Sequence, residues 1–301
     1  MLLSNDNDLF RKVVENASRA LKIAQSYIEK DFYAITILKE LVKRNNKFVF
    51  KGGTSLSVCQ HAVNRFSEDI DISYSEETIT VSQRKAIKKA FFDSIEAASL
   101  SVSNPDNIRS RRAFNRYLCP YQSKWNLSED RVIVEWATQT ASFPIEEKTA
   151  QTIIGKYLES IGRHDLVEQY DLGPFVTKTL TKERTMIDKI FAICDYHLSK
   201  KLERQSRHIY DIQQLIKYVE LDDYFIDVFN KVKDCRVKLE NCYSVHIDKK
   251  ISDLLIELVE EKTFKNDYDT KTFPLLYDHI KYEECVPYII KVSNFLKKYD
   301  L

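Results

Sequence analysis

Apolar positions recur at helical spacing from Asn16 to Arg44, through Ala20, Leu21, Ala24, Tyr27, Ile28, Ile35, Ile37, Leu38, Leu41 and Val42. Asn45-Asn46 ends that pattern, and Phe48-Val49-Phe50 is a short β-type run leading into Gly52-Gly53. A helix is predicted next, from Thr54 or Ser55 to about Val63. Asp69-Ile70-Asp71-Ile72-Ser73 alternates polar and apolar, which predicts a strand. A helix is expected over Ser82–Leu100 with Ser82 as N-cap. Arg116–Cys119 and Arg131–Trp136 predict a strand pair, with Ser128-Glu129-Asp130 as the turn before the second. Lys148–Gly162 reads as helix and Val176–Leu180 as extended. Beyond Thr181 the pattern is helical: Lys182–Leu198, Ser206–Tyr218, Lys249–Glu260 and Pro287–Lys298. The change near residue 180 predicts an α+β chain, with a mixed domain over 1–180 and a helical domain over 181–301.

Composition narrows the class. The chain has 301 residues, 44% hydrophobic and 30% charged, which is globular rather than disordered. It has no apolar run of about 18 residues that would span a membrane, and its N-terminus shows no signal pattern. Six scattered cysteines without a CxxC pair predict reduced thiols and a cytoplasmic location. Cys235, Cys242 and His246 lack a fourth ligand for zinc. A net charge of +1 gives no global attraction to nucleic acid or membrane, so any such contact needs a local patch. Only five residues are glycine, and two of them, Gly52 and Gly53, are adjacent. Such a doubling marks backbone that a side chain would obstruct.

The candidate chemistry follows from that pair. A strand ending in Gly-Gly, followed by Thr54, Ser55 and a helix start, presents backbone N–H groups, two hydroxyls and a helix dipole at one point, which suits a polyphosphate. It also serves as a plain tight turn. Asp69 and Asp71, two apart on a strand, project to the same face. Paired carboxylates repel unless a cation lies between them, and hard oxygen ligands suit Mg²⁺ held jointly with substrate phosphates. Alone, the same pattern occurs on solvated sheet faces. Glu135, on its own predicted strand, is the candidate third carboxylate of a two-metal site.

KGGTSL followed by RFSEDIDIS resembles the opening motif of the AbiEii/AbiGii-type toxin nucleotidyltransferases, a branch of the polymerase-β-like superfamily. Glu29–Leu38 is similar to the lead-in helix of that family, Arg184–Ile190 to its lysine motif, and Arg207–Ile212 to its arginine-x-x-tyrosine-aspartate helix. Residues 54 to 68 separate the glycine pair from the first carboxylate, longer than in the superfamily at large, and Asp188 stands where the family often has Glu. The resemblance implies a polymerase-β-like nucleotidyltransferase domain joined to a helical domain. Gly52, Gly53, Thr54 and Ser55 would hold a nucleoside triphosphate. Asp69 and Asp71, with Glu135, would bind Mg²⁺, or Mn²⁺ in its place. Lys189 would reach the phosphates across a cleft, and Asp211 would orient it or act as base. Arg65 and Ser67 would support the metal loop or the phosphates. The local alternatives are that Arg65 pairs with Glu68 or Asp69, and Asp211 with Arg207.

Arg109, Arg111, Arg112 and Arg116, with Phe114 and Tyr117, form one basic and aromatic run; Lys200, Lys201, Arg204 and Arg207 form another. Guanidiniums with aromatics suit phosphates and unstacked bases at RNA ends. The resemblance implies a toxin of a toxin–antitoxin or abortive-infection system. Such a toxin would add nucleotides to an RNA acceptor, the tRNA 3′ end, and so block translation, alongside an antitoxin acting as transcriptional repressor. A protein or small-molecule acceptor, or a non-catalytic nucleotide-binding module, are the alternative readings.

Overall fold

The computed structural model describes residues 1–67, 69–76, 78–125, 129–138 and 141–301, with Glu129 described by its backbone alone. The described chain divides into two compact units, Met1–Cys59 with Ser67–Thr179, and Gln60–Phe66 with Leu180–Leu301. The segment Gln60–Phe66 lies in the N-terminal half of the sequence yet belongs to the second unit.

The first unit is built on a mixed sheet of β1 (Phe48–Lys51), β2 (Asp69–Tyr74), β3 (Phe114–Gln122), β4 (Glu129–Ala137), β5 (Ile145–Ala150) and β6 (Phe175–Leu180), in the order β3-β4-β2-β1-β6-β5. β2 runs antiparallel to β1 and parallel to β4, and β3 is an antiparallel edge strand beside β4. Pro120 is tolerated on β3 because an edge strand leaves one side unpaired. Alternation sorts the side chains. Phe48, Phe50, Ile70, Ile72, Tyr74, Tyr117, Val132, Val134 and Trp136 are buried on one face. There the helices α1 (Asn7–Leu21), α2 (Gln25–Arg44), α3 (Gly52–Val58), α4 (Val81–Ala97), α5 (Ile153–Ser160) and α6 (His164–Gln169) contribute Phe32, Leu38 and Phe91 among others to one core. Phe91 stacks on Tyr117 at 4.8 Å and meets Trp136 at 5.6 Å and Phe48 at 5.3 Å, each edge-on. Such pairs add about 0.5–1.5 kcal/mol each beyond their buried area.

Several boundaries differ from the sequence pattern. The helical run through Asn16–Arg44 is broken at Lys22, whose left-handed φ of 58° ends α1. α3 starts at Gly52 and is shorter than expected. α4 is capped by Thr80 with Gln83 in a reciprocal capping box, not by Ser82. Lys148–Gly162 is not one helix: Ile145–Ala150 is strand β5, whose alternating exposure outweighs the helical preference of its Glu and Lys. Of the expected turn, Ser128 lies outside the described residues, while Glu129 and Asp130 already belong to β4.

The second unit is helical: α7 (Lys182–Ser199), α8 (Arg207–Leu215), α9 (Asp223–Arg236), α10 (Ile251–Glu260), the single turn α11 (Lys265–Asp267) and α12 (Tyr282–Lys297). α7 packs against α8, α9 and α10, and α12 against α8 and α10. α7 is central, burying apolar and charged residues alike, Arg184 and Lys189 among them. Among the described residues, no helix is long and apolar enough to cross a membrane.

One capping contact titrates. Asp31 of α2 accepts a hydrogen bond from the Ile153 backbone N–H, at the first turn of α5, at 2.7 Å. Burial raises its carboxyl from 3.8 to about 7, against the opposing pull of that N–H and of Lys156. The folded chain therefore holds a proton here that the unfolded chain loses, so this group's contribution to stability falls as pH rises from 3.8 to about 7. Asp31→Asn keeps an acceptor for Ile153 and loses the titration. Its melting temperature relative to wild type is expected to be higher at about pH 8 than at about pH 5, read by thermal melts at both values.

Candidate active site

In the first unit the strand register assembles the candidate groups. Asp71 pairs with Lys51 of β1 on one side and with Glu135 of β4 on the other. Asp69, two residues earlier, shares its face at about 7 Å along the strand. Gly52 follows Lys51 directly, with φ +77°, a backbone conformation that side-chain-bearing residues rarely adopt. A Cβ there would meet Asp71 Oδ2 at 2.0 Å. Gly52 is thus required twice over, by its dihedral angle and by the carboxylate lying against its Cα. It opens α3, whose first turn has no side-chain cap among the described residues, leaving its backbone N–H groups to a ligand or solvent.

Thr54 is an internal strut. Thr54 Oγ1 donates to the Asp69 carbonyl at 2.5 Å and lies 3.0 Å from Ser67 Oγ. Thr54 and Ser55 are both buried, as is Gly53. The hydroxyl of Thr54 therefore fastens α3 to the start of β2, and the backbone of the glycine turn is the part that can meet phosphate oxygens.

Glu135 is partly buried and Arg116 of β3, its register partner, pairs with it: Nε to Oε1 is 2.7 Å and Nη2 to Oε1 is 2.6 Å. Burial raises the Glu135 carboxyl, the charge of Asp71 raises it further, and Arg116 opposes both. Three carboxylates outnumber the two cations placed among them, Arg116 and the Lys51 register partner of Asp71, so the row keeps a negative surplus that suits a cation. Mg²⁺ typically uses one or two carboxylates plus substrate phosphates, so Asp71 with Asp69 or Glu135 fits it. Among the described residues, the group with ligand atoms within 4.8 Å of one another is a different one, His197, Glu257 and Glu261 in the second unit. There Lys249 pairs with Glu257 and Lys200 with Glu261, while His197 Nδ1 meets Thr263 Oγ1 at 2.9 Å. That group is balanced by its own lysines.

The second unit holds the other candidates. Arg65 grips Asp211 with two bonds, Nε to Oδ1 at 2.7 Å and Nη2 to Oδ2 at 2.9 Å, with side chains 1% and 0% exposed. Lys189 Nζ lies 3.1 Å from Asp211 Oδ2, its side chain 8% exposed. Burial would raise the Asp211 carboxyl, but Arg65 and then Lys189 outweigh it and hold it well below the usual carboxylate range. Burial lowers the Lys189 ammonium, and Asp211 partly restores it. Asp211 thus pairs with Arg65 and Lys189 rather than with its helix neighbour Arg207; Glu68 lies outside the described residues. The loop carrying Arg65 is fixed beside α8: the Asn64 N–H donates to Tyr210 Oη at 3.1 Å, and the Phe66 N–H to the Leu275 carbonyl at 3.1 Å. Tyr210 Oη in turn donates to Asp278 Oδ2 at 2.8 Å. Asp278 carried no motif that would single it out in the sequence. Neither did Arg116's bond to Glu135, which depends on the β3–β4 register.

The sequence profile described as "Nucleotidyl transferase AbiEii toxin, Type IV TA system" matches residues 36–284. The chain belongs to this family. AbiEii proteins are nucleotidyltransferases, so this chain is an enzyme with a nucleoside triphosphate as substrate, from a family of toxins in toxin–antitoxin systems. Among solved structures it is similar to the nucleotidyltransferase toxin MenT4 from Mycobacterium tuberculosis H37Rv, with 17% identity and a TM-score of 0.51 over 94% of this chain and 89% of that one. It is also similar to JHP933 from Helicobacter pylori, with 16% identity and a TM-score of 0.47 over 90% and 93%. At 17% identity the likeness to MenT4 bears on the fold alone. Comparison with curated proteins gave no match.

Two outcomes test the geometry. Gly52→Ala is expected to lose about 1–3 kcal/mol to the strained dihedral alone, and to displace Asp71. Denaturant melts read the first effect, and Mn²⁺ binding, weakened at least about tenfold, reads the second. Arg65→Ala removes both guanidinium bonds to the buried Asp211 and leaves Lys189 as its remaining cation, and is expected to cost about 3 kcal/mol in the same melts. Arg65→Lys restores only part of this, because an ammonium lacks the two-pronged fork.

Proposed function

We propose that this AbiEii nucleotidyltransferase transfers a nucleotide from a nucleoside triphosphate to the 3′ end of an RNA, a tRNA, with Mg²⁺ as cofactor and arrest of translation as the outcome. The observation that carries the reading is the carboxylate row, Asp69 and Asp71 on β2 and Glu135 on β4, beside the glycine turn at Gly52. Asp69, Asp71 and Glu135 would hold the Mg²⁺, which shields the phosphate charge as it develops. The backbone of Gly52 and Gly53 cradles the triphosphate. The acceptor hydroxyl gives up its proton to water, its oxygen forms a bond to the α-phosphorus as the bond from that phosphorus to the bridging oxygen breaks, and pyrophosphate leaves with the electron pair. The protein's part in such a transfer is positioning and electrostatic stabilisation.

Transfer also depends on Lys189 as a point charge for phosphate. Asp211, fully buried and bonded to two cations, is a poor base and acts by orienting that ammonium. The RNA acceptor is favoured by Arg116 on the row and by the exposed Arg109, Arg111 and Arg112 in the turn before β3. Lys200, Lys201 and Arg204, in the turn after α7, are a second basic stretch. A cytoplasmic location and a separately encoded antitoxin complete the proposal.

The test incubates the protein with each labelled nucleoside triphosphate, total tRNA and Mg²⁺. Label is expected on RNA with at least one nucleotide, and Asp71→Asn or Lys189→Ala is expected to lower the rate by about a hundredfold or more. Circular dichroism confirms that the variants fold. No labelled RNA with any nucleotide would sink the acceptor assignment, and label on protein would replace it with the protein-acceptor reading.

A further inference from the structure

The sheet order gives the carboxylate face a direction. The glycine turn ends β1, Asp69 and Asp71 lie on β2, Glu135 lies on β4, and β3 forms the edge beyond. With the triphosphate at the glycine turn, the leaving pyrophosphate departs on the β1 side. An in-line displacement brings the attacking oxygen from the opposite side, which is the β3 side. Neighbouring strands lie about 4.8 Å apart, so β3 is about 10 Å from β2, and Phe114 stands two residues, about 7 Å, along the strand from the Asp71–Glu135–Arg116 row, a span of about 12 Å in all.

What β3 presents there is specific. Residues 114, 116, 118 and 120 alternate onto the carboxylate face, as the Arg116 bond to Glu135 shows. Phe114 is 40% exposed. Its register partner on β4 is Ala137, too small to cover a ring. Arg116, two residues on, keeps a half-exposed guanidinium while bonded to Glu135. Arg109, Arg111 and Arg112, all exposed, lie in the turn that leads into β3.

We propose that Phe114 is the stacking seat for the base of the acceptor's terminal nucleotide, with Arg116 contacting the adjoining phosphate. This rests on the RNA-transfer reading above. A ring beside a guanidinium is the pair that single-stranded RNA uses, base on ring and phosphate on cation. The same pair accounts for a hydrophobic side chain left in water at the edge of a charged site. Stacking tolerates any base, so Phe114 sets where the acceptor end sits and leaves its sequence preference to other contacts.

The experiment measures steady-state labelling of tRNA by wild type, Phe114→Ala and Phe114→Trp. Phe114→Ala is expected to raise the KM for RNA about tenfold, with kcat and the KM for nucleoside triphosphate within about twofold of wild type. Phe114→Trp is expected to restore the RNA KM. In parallel, a short single-stranded RNA, without nucleoside triphosphate, is titrated into Phe114→Trp and into wild type. Quenching in the variant beyond the wild-type background from Trp125 and Trp136 supports the seat. An unchanged RNA KM in Phe114→Ala overturns the proposal, and so does a rise confined to the nucleoside triphosphate KM, which would give the ring to the incoming base. If wild type labels no RNA, the transfer reading falls by itself; the titration then decides the seat, quenching supporting it and its absence overturning it.

Discussion

The carboxylate of Asp71 occupies the space that a side chain on Gly52 would fill, and the first unit is arranged around that exclusion. Because Asp71 pairs with Lys51, the end of β1 and the middle of β2 are locked in register at the residue before the glycine. Because Asp71 also pairs with Glu135, the same register fixes the third carboxylate. A slip of one residue would turn Ile70 and Ile72 to the solvated face and both aspartates into the aromatic core. The packing of Phe48, Phe91 and Trp136 on the far side therefore holds the acidic row in place. A chain with only five glycines places one where the chemistry permits no Cβ.

In the second unit a buried charge group plays the corresponding part. Arg65 and Lys189 share Asp211, so two cations face one anion in a nearly inaccessible place. Buried ion pairs seldom add much net stability, since desolvation offsets most of the attraction. What the arrangement supplies is position. Arg65 takes both carboxylate oxygens, which fixes Asp211 in one orientation, and Asp211 Oδ2 then fixes the ammonium of Lys189. The surplus positive charge makes an anion the complementary ligand. The Tyr210–Asp278 bond and the Asn64 and Phe66 backbone bonds keep the Arg65 loop against α8.

The legible parts of this structure were those encoded locally. The two-residue period of Asp69–Ser73, the β-type run before Gly52-Gly53 and the long helix over Lys182–Leu198 are each visible within a single window. The nucleotidyltransferase fold was implied by the resemblance that the KGGTSL and RFSEDIDIS motifs carry. The partner of Arg65 was not legible, because Asp211 lies 146 residues away and the local alternatives, Glu68 or Asp69, are equally charged. Glu135 could be placed on a strand by its apolar neighbours, whereas its pairing with Asp71 needed a parallel register between segments with no short connection. Strand β5 was hidden because Glu146, Glu147 and Lys148 favour helix in isolation, and only its place at the sheet edge makes it extended. α9 carries no motif, and its amphipathic pattern is split by charged residues.

Net neutrality in this chain is a matter of arrangement. A charge of +1 overall coexists with a carboxylate row whose surplus is negative and a neighbouring turn and strand whose surplus is positive. Arg116 stands where the two meet. Its bond to Glu135 offsets one carboxylate, and the row keeps a negative surplus. The Arg116 guanidinium stays half-exposed, and Arg109, Arg111 and Arg112 precede it in the turn before β3. Exposed charges separated by more than a Debye length of about 8 Å are screened at physiological salt, so these fields act only on what is already near the sheet edge. For the proposed RNA acceptor, that makes contact with the edge strand, rather than long-range steering, the part of binding that these charges would govern.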